Sequence, residues 1–195
     1  ALALRAGKRR PAVPTLIKPK EIPMHYRQWL ALNGDQKMVY YLGLAECTVP
    51  LLHASPHIAF IREALDACWH WLTHREIHPA DFYHYFEDEE TKDSLLMLMQ
   101  DENDEVLLAA WICITESVGF ILYNGFKHHH HVQPPSTEGF ELSGEIFDGF
   151  AQNFQKIFPA VRAEQLETQM FALLAADPDD IFDKDWVLAR LNTAS

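Results

Sequence analysis

Cysteine is scarce: Cys47, Cys68 and Cys113 are the full complement among 195 residues. Their odd number and wide spacing exclude a disulfide framework and a zinc-ribbon pattern, and favour a reducing, cytoplasmic setting. No apolar run approaches 18 residues, so no membrane span is expected. No basic start followed by an apolar stretch marks a secretory leader. Phosphate-cradling glycine loops, the dinucleotide fingerprint, the nucleophile elbow and Cys-x-x-Cys are all missing. Positive charge is also in short supply. Sixteen Lys and Arg face 28 Asp and Glu, a net charge of -12. That surplus disfavours direct contact with nucleic acid or an anionic membrane and suits a basic partner.

The charge is uneven. Residues 1–23 hold six basic residues and one acid, a net of +5, with Pro11, Pro14, Pro19 and Pro23. Proline fixes φ and removes an amide donor, so an extended tail is expected there. This tail reads as an upstream start, a linker or a vector-derived addition, with a native basic arm as the rival reading. Residues 24–195 are expected to form a single all-helical domain with a charge of -17.

What is present is helical periodicity. Met38, Leu42, Ala45, Val49 and Leu52 recur at intervals of four and three. Ile58, Ile61, Leu65, Cys68 and Leu72 do the same, as do Leu107, Trp111, Ile114, Val118 and Ile121. Phe147, Phe150, Phe154 and Ile157 form a fourth stripe, and Leu166, Met170 and Leu173 a fifth. Such stripes predict an all-α bundle of at least five helices. Gly34 should end a short helix over 25–33, Asp35 should cap the next, and Ser55-Pro56 should open the second long one. Short pieces are expected at 79–86 and 91–100. A loop near 127–139, carrying His128 to His131, is expected to divide the bundle. A last short helix from Asp183 should bury Trp186 and Leu191. The core should contain Leu42, Leu65, Cys68, Leu72, Trp111, Ile114, Val118, Phe150 and Phe154.

Several groups invite a chemical reading. His70, His74 and His78 are four apart, a spacing that can hold a metal on one helix face. The metalloprotease form needs a glutamate after the first histidine, where Trp71 stands. Solvated or packing histidines are the better reading, and neither a metal nor another cofactor is expected. Glu46, Glu63, Asp66 and Glu116 lack the Glu-x-x-His pairs of a dimetal bundle. Ion pairing with Arg62 or Arg75, capping or exposure accounts for them better.

The strongest signal is the stretch from Asp81 to Glu105, with ten acids and one base, a net of -9. Helix dipoles and solubility account for only some of these acids. Phe82, Tyr83, Tyr85 and Phe86 are interleaved with them, beside Glu87, Asp88, Glu89, Glu90 and Asp93. Aromatic anchors with steering carboxylates describe a partner-binding surface for a basic protein. Asp177, Asp179, Asp180, Asp183 and Asp185 form a second acidic cluster.

The run Ile61-Arg62-Glu63-Ala64-Leu65-Asp66-Ala67-Cys68-Trp69-His70-Trp71-Leu72 resembles a segment of the immunity protein six family of bacterial polymorphic toxin systems. So do the aromatic piece Asp81–Phe86, the acidic turn after it and Ala109-Ala110-Trp111-Ile112-Cys113-Ile114. The resemblance spans residues 36–125, with Glu63 and Trp71 matching the family's prominent Glu and Trp. It implies an all-helical antidote, not an enzyme, that binds and blocks a cognate toxin protein domain. A nuclease is the expected toxin, since nucleic-acid-cutting toxins are often basic. The alternatives are an acidic helical adaptor for another basic protein and a metal-dependent enzyme using the histidines.

Overall fold

The computed structural model describes residues 24–88, 90, 93–130, 134–140, 144–176 and 181–192. The expected tail at 1–23, Glu89, Lys92, His131 and Asp177, Asp179 and Asp180 of the second acidic cluster lie outside them. Among the described residues there are eight α-helices and no strand. They are α1 Met24–Ala31, α2 Gly34–Thr48, α3 Ile58–His74, α4 Leu95–Leu98, α5 Glu105–His128, α6 Gly144–Ile157, α7 Ala160–Ala175 and α8 Lys184–Asn192. The fold is the all-α bundle that the stripes predict.

Helix starts differ from expectation in instructive ways. α2 is opened by Asn33, not Asp35: Asn33 Oδ1 accepts from the Gln36 amide at 2.9 Å, and Gln36 Oε1 accepts from the Asn33 amide at 3.0 Å. This reciprocal box satisfies two amides at once, and places Gly34 inside the helix instead of ending its predecessor. Ser55 sits two positions before His57, the residue at the capping position of α3, and its hydroxyl accepts from the His57 amide at 3.2 Å. Asp104 caps α5 by accepting from the amides of Val106 and Leu107. Asp183 caps α8 as expected, accepting from Trp186 at 2.9 Å. In α8, however, Val187 and Leu191 are buried while Trp186 is half-buried.

α2 and α5 form the centre. α5 packs along α2 on one side and α6 on another, α3 lies against α5, and α7 and α8 cover α2. Every residue named above for the core is buried. The stripe understates α2, which also buries Val39, Tyr40, Tyr41 and Leu44 because helices surround it. α5 does not stop before a histidine loop: it continues through His128, with Tyr123 and Phe126 buried. Its last turn carries His128 and Lys127, whose ammonium complements the helix C-terminus. The expected division of the bundle fails, because α6 returns to pack along α5.

α5 is long and apolar enough to cross a bilayer by composition, contrary to the expectation from its sequence. Yet 72% of its most apolar window is buried inside the protein. Its hydrophobicity is matched by helices, as expected for the central helix of a packed bundle.

Candidate functional site

The acidic-aromatic stretch forms a shelf outside α3 and α5. Two 3-10 turns, Pro79–Asp81 and Tyr83–Tyr85, build it. Such turns follow from the local sequence: the His78 ring accepts from the Ala80 amide at 3.1 Å, and Pro79 supplies a fixed φ at the start. Phe82 and Phe86 point inward and are 4% and 1% exposed. They are core residues, which corrects their assignment to the partner surface. The reason is the turn geometry, which sends positions 82 and 86 to one side. The Phe86 ring meets Phe140 edge-on at 5.7 Å. Phe140 in turn lies where a Cβ on Gly119 of α5 would come within 2.5 Å of its ring. Glycine at 119 therefore lets this aromatic pile press onto the central helix. The Leu96 amide donates to Phe86 O at 3.2 Å and joins the shelf to α4.

Tyr83 and Tyr85 are half-buried and have different roles. The Tyr83 hydroxyl bonds Glu87 and lies 2.5 Å from Ser136 Oγ, which ties the shelf to the turn before α6. Tyr85 packs edge-on to Phe60 at 5.3 Å and against the exposed His84 at 4.1 Å. Burial, and then the Glu63 carboxylate through its charge and a hydrogen bond, raise the Tyr85 phenol above its ordinary pKa. Tyr85 of the shelf thus packs on α3 through Phe60, with the Glu63 carboxylate near enough to act on its phenol. Glu63 is exposed, as are Glu90 and Asp93; Glu87 and Asp88 are half-buried. Phe60, His84 and Ser136 were missed by sequence reasoning. Phe60 belongs to the face opposite the α3 stripe, and no local signal brings Ser136 to Tyr83.

Trp71 is not at the surface. It is fully buried, with the Arg75 guanidinium 4.2 Å above its ring. Arg75 closes α3 in the left-handed region at φ 52° and bonds Asp35 of α2 at 2.7 Å. Trp71 is therefore a packing residue where α3 meets the end of α5, touching Gly125 and His128.

Some acids of the stretch serve the fold. Asp104 caps α5, and Glu102 accepts from the amides of Asn103 and Asp104 at 2.9 Å. Beside them a pocket of about 200 Å³ is lined by His57, Leu98, Asp101, Glu102 and Trp111. Its aromatic wall and two carboxylates make it a setting for a cationic side chain.

The other carboxylates separate into distinct environments. Glu46 is buried between Arg62, at 3.0 Å, and Lys184, at 2.8 Å; Lys184 also pairs with Asp66 at 2.6 Å. Glu167 is buried between Tyr40 and His25, at 3.1 and 3.2 Å. Glu116 faces α6 at Gly149, and burial pushes its carboxyl up to about 7. His70 and His74 stack on α3 with ring centres 4.2 Å apart, and the His74 ring contacts the His70 carbonyl at 3.1 Å. Among the described residues no three His, Cys, Asp or Glu side chains converge on a metal-sized point. Burial pushes the Cys47 thiol up to about 12 and also raises those of Cys68 and Cys113, which suits packing more than nucleophilic chemistry.

No curated protein and no solved structure matches the chain. A family described as immunity protein Imm6 matches residues 36–157, from the capping box of α2 to the last residue of α6. That span extends past the resemblance over 36–125 and takes in the end of α5, the turn carrying Ser136 and Phe140, and all of α6. With well over half of its length inside the match, the chain belongs to the Imm6 immunity protein family.

Proposed function

We propose that this immunity protein acts by binding, not by turnover, and that it blocks a basic toxin domain through the shelf around Tyr85. The observation that carries this reading is the half-buried Tyr85, packed on Phe60 of α3 beside exposed carboxylates, on a platform whose inner side is anchored by Phe82 and Phe86. An interface needs a partly buried aromatic anchor and steering charge on a pre-organised backbone, and the shelf offers all three. The pocket between Trp111, Asp101 and Glu102 extends the same chemistry and suits an arginine or lysine of the partner. A nuclease is the toxin class we favour, because its phosphate-binding groove would be basic and an acidic shelf can occupy it.

The test is association kinetics with the purified toxin domain at two salt concentrations. Charge reversal of Glu87, Asp88, Glu89 and Glu90 to lysine should slow association by about tenfold or more at low salt, with the difference shrinking as salt rises. Equal rates for parent and variant at both concentrations would leave the shelf as a solvated face.

A further inference from the structure

The pocket beside Trp111 holds more than charge. Its lining comes from elements that pack together: His57 caps α3, Leu98 ends α4, Asp101 and Glu102 lie at the end of the 3-10 turn Met99–Asp101, and Trp111 belongs to α5. A volume of about 200 Å³ is too small for a cofactor and takes one long side chain. Glu102 Oε1 accepts from the amides of Asn103 and Asp104. No lysine or arginine among the described residues pairs with Glu102 or with Asp101. Asp101 is exposed and Glu102 half-buried, so the mouth carries unneutralised negative charge.

A second observation is independent of charge. The indole N–H groups of Trp69 and Trp71 are sealed inside the bundle without acceptors. Trp111 is 3% exposed and its N–H also makes no hydrogen bond within the chain, but this donor is not sealed, and its ring lines the pocket. A nearly buried donor without an acceptor is unfavourable, and an oxygen of a guest in the pocket completes it. The carboxylates call for a cation and the indole for an acceptor. Guanidinium and ammonium groups accept no hydrogen bond, so the guest must bring a carbonyl as well, as a basic residue on a peptide backbone does. The His57 and Trp111 rings stand edge-on, 6.5 Å apart. A planar guanidinium stacks on such rings and forks to carboxylates; a lysine ammonium cannot fork. The elements around the pocket also expose Leu51, Met97 and Val106, apolar area that a protein partner covers.

We propose that this pocket seats one arginine of the toxin domain, its guanidinium held by Asp101 and Glu102 against the Trp111 and His57 rings, while a main-chain carbonyl of the same loop accepts from Trp111 Nε1. This rests on the reading of the chain as a toxin-binding immunity protein. His57 lies three positions before Phe60, and Phe60 carries Tyr85, so pocket and shelf are neighbours along α3. The arginine is the anchor that sets how long the complex lasts, and the carboxylates of the shelf set how fast it forms.

The experiment follows the Trp111 indole N–H resonance of the isotope-labelled full chain, assigned through its own side-chain and backbone spins. In the free chain this N–H should exchange with solvent faster than those of Trp69 and Trp71. Capped Gly-Arg-Gly, Gly-Lys-Gly and Gly-Glu-Gly peptides and the toxin domain are then added separately. The arginine peptide and the toxin should each move the resonance, the lysine peptide should move it less, and the glutamate peptide should leave it in place. Asp101→Asn with Glu102→Gln keeps the oxygen that the Asn103 and Asp104 amides use, so the melting temperature should hold. In that variant the arginine peptide should lose its effect and the toxin should dissociate about tenfold faster. An exchange rate as slow as that of Trp69, a resonance unmoved by the arginine peptide, an equal response to lysine, or unchanged toxin dissociation in the double variant would overturn the pocket assignment and leave the shelf untouched. A parent chain that binds no toxin would instead sink the immunity reading, and with it the toxin as owner of the arginine.

Discussion

Glu116 shows how one residue can set a pH dependence. It lies on the central helix against α6, and burial raises its carboxyl from the ordinary 4.5 to about 7. The folded state thus holds its proton more tightly than the unfolded chain. Its contribution to stability is full below about 4.5 and is lost as pH rises through 7, a difference on the order of 3 kcal/mol. Glu116→Gln keeps the shape and removes the charge. It should stabilise the protein by about 1–3 kcal/mol at pH 8 and by less than about 1 kcal/mol at pH 5. Urea unfolding at the two pH values checks this, and an equal gain at both would show an uncharged origin. The shelf offers a second contrast between single residues. Tyr85→Ala should speed toxin dissociation, costing about 2 kcal/mol of binding with little loss of fold. Phe86→Ala should do the reverse, costing about 3–5 kcal/mol of stability because its ring is core. Paired melting and dissociation measurements separate the two, and a Tyr85 variant that unfolds would make that tyrosine structural.

At the scale of elements, α5 determines how much of the molecule can be assembled. It touches α2, α3 and α6, and its Trp111 lies 6.5 Å from the His57 ring at the start of α3. Trp111 is 3% exposed, so Trp111→Ala should cost about 3–5 kcal/mol, read by chemical denaturation. A cost under about 1 kcal/mol would mean that the α3–α5 seam closes over the gap. The short turns between α3 and α5 follow another logic. Their residues are too few to bury a face alone, so their order depends on Phe82, Phe86 and Phe140 being gripped by longer helices. This explains why periodicity placed the long helices but gave only short pieces at 79–86 and 91–100. It also explains why the four aromatics Phe82, Tyr83, Tyr85 and Phe86 looked alike in sequence: the separation of Phe82 and Phe86 from Tyr83 and Tyr85 comes from a 3-10 turn docking on α5.

For the whole molecule, the helical bundle and the ion pairs of Glu46, Arg62, Lys184 and Asp66 join α2, α3 and α8. The first helix starts at Met24, and we expect a chain beginning there to fold and to protect a toxin-producing cell as well as the longer one. Growth protection and melting temperature test this together; a truncated chain that folds but does not protect would make the basic segment a partner contact.

The stripes of α2, α3, α5, α6 and α7 were legible in sequence because apolar side chains every three or four residues have one stable outcome, burial of a shared face. The resemblance through Glu63, Trp71 and Trp111 was legible for a related reason: it lies on those same helices. Surface roles were not so legible. Phe82 and Phe86 read as candidates for recognition and are packed inside, while Phe60 and Ser136 read as ordinary and line the shelf. Local spacing determines which helix face turns inward. Only the tertiary structure decides what covers each remaining side chain, because Tyr83 meets Ser136 across 53 positions and Thr73 meets Phe182 across 109, and contacts at such separations exist only once the helices have packed.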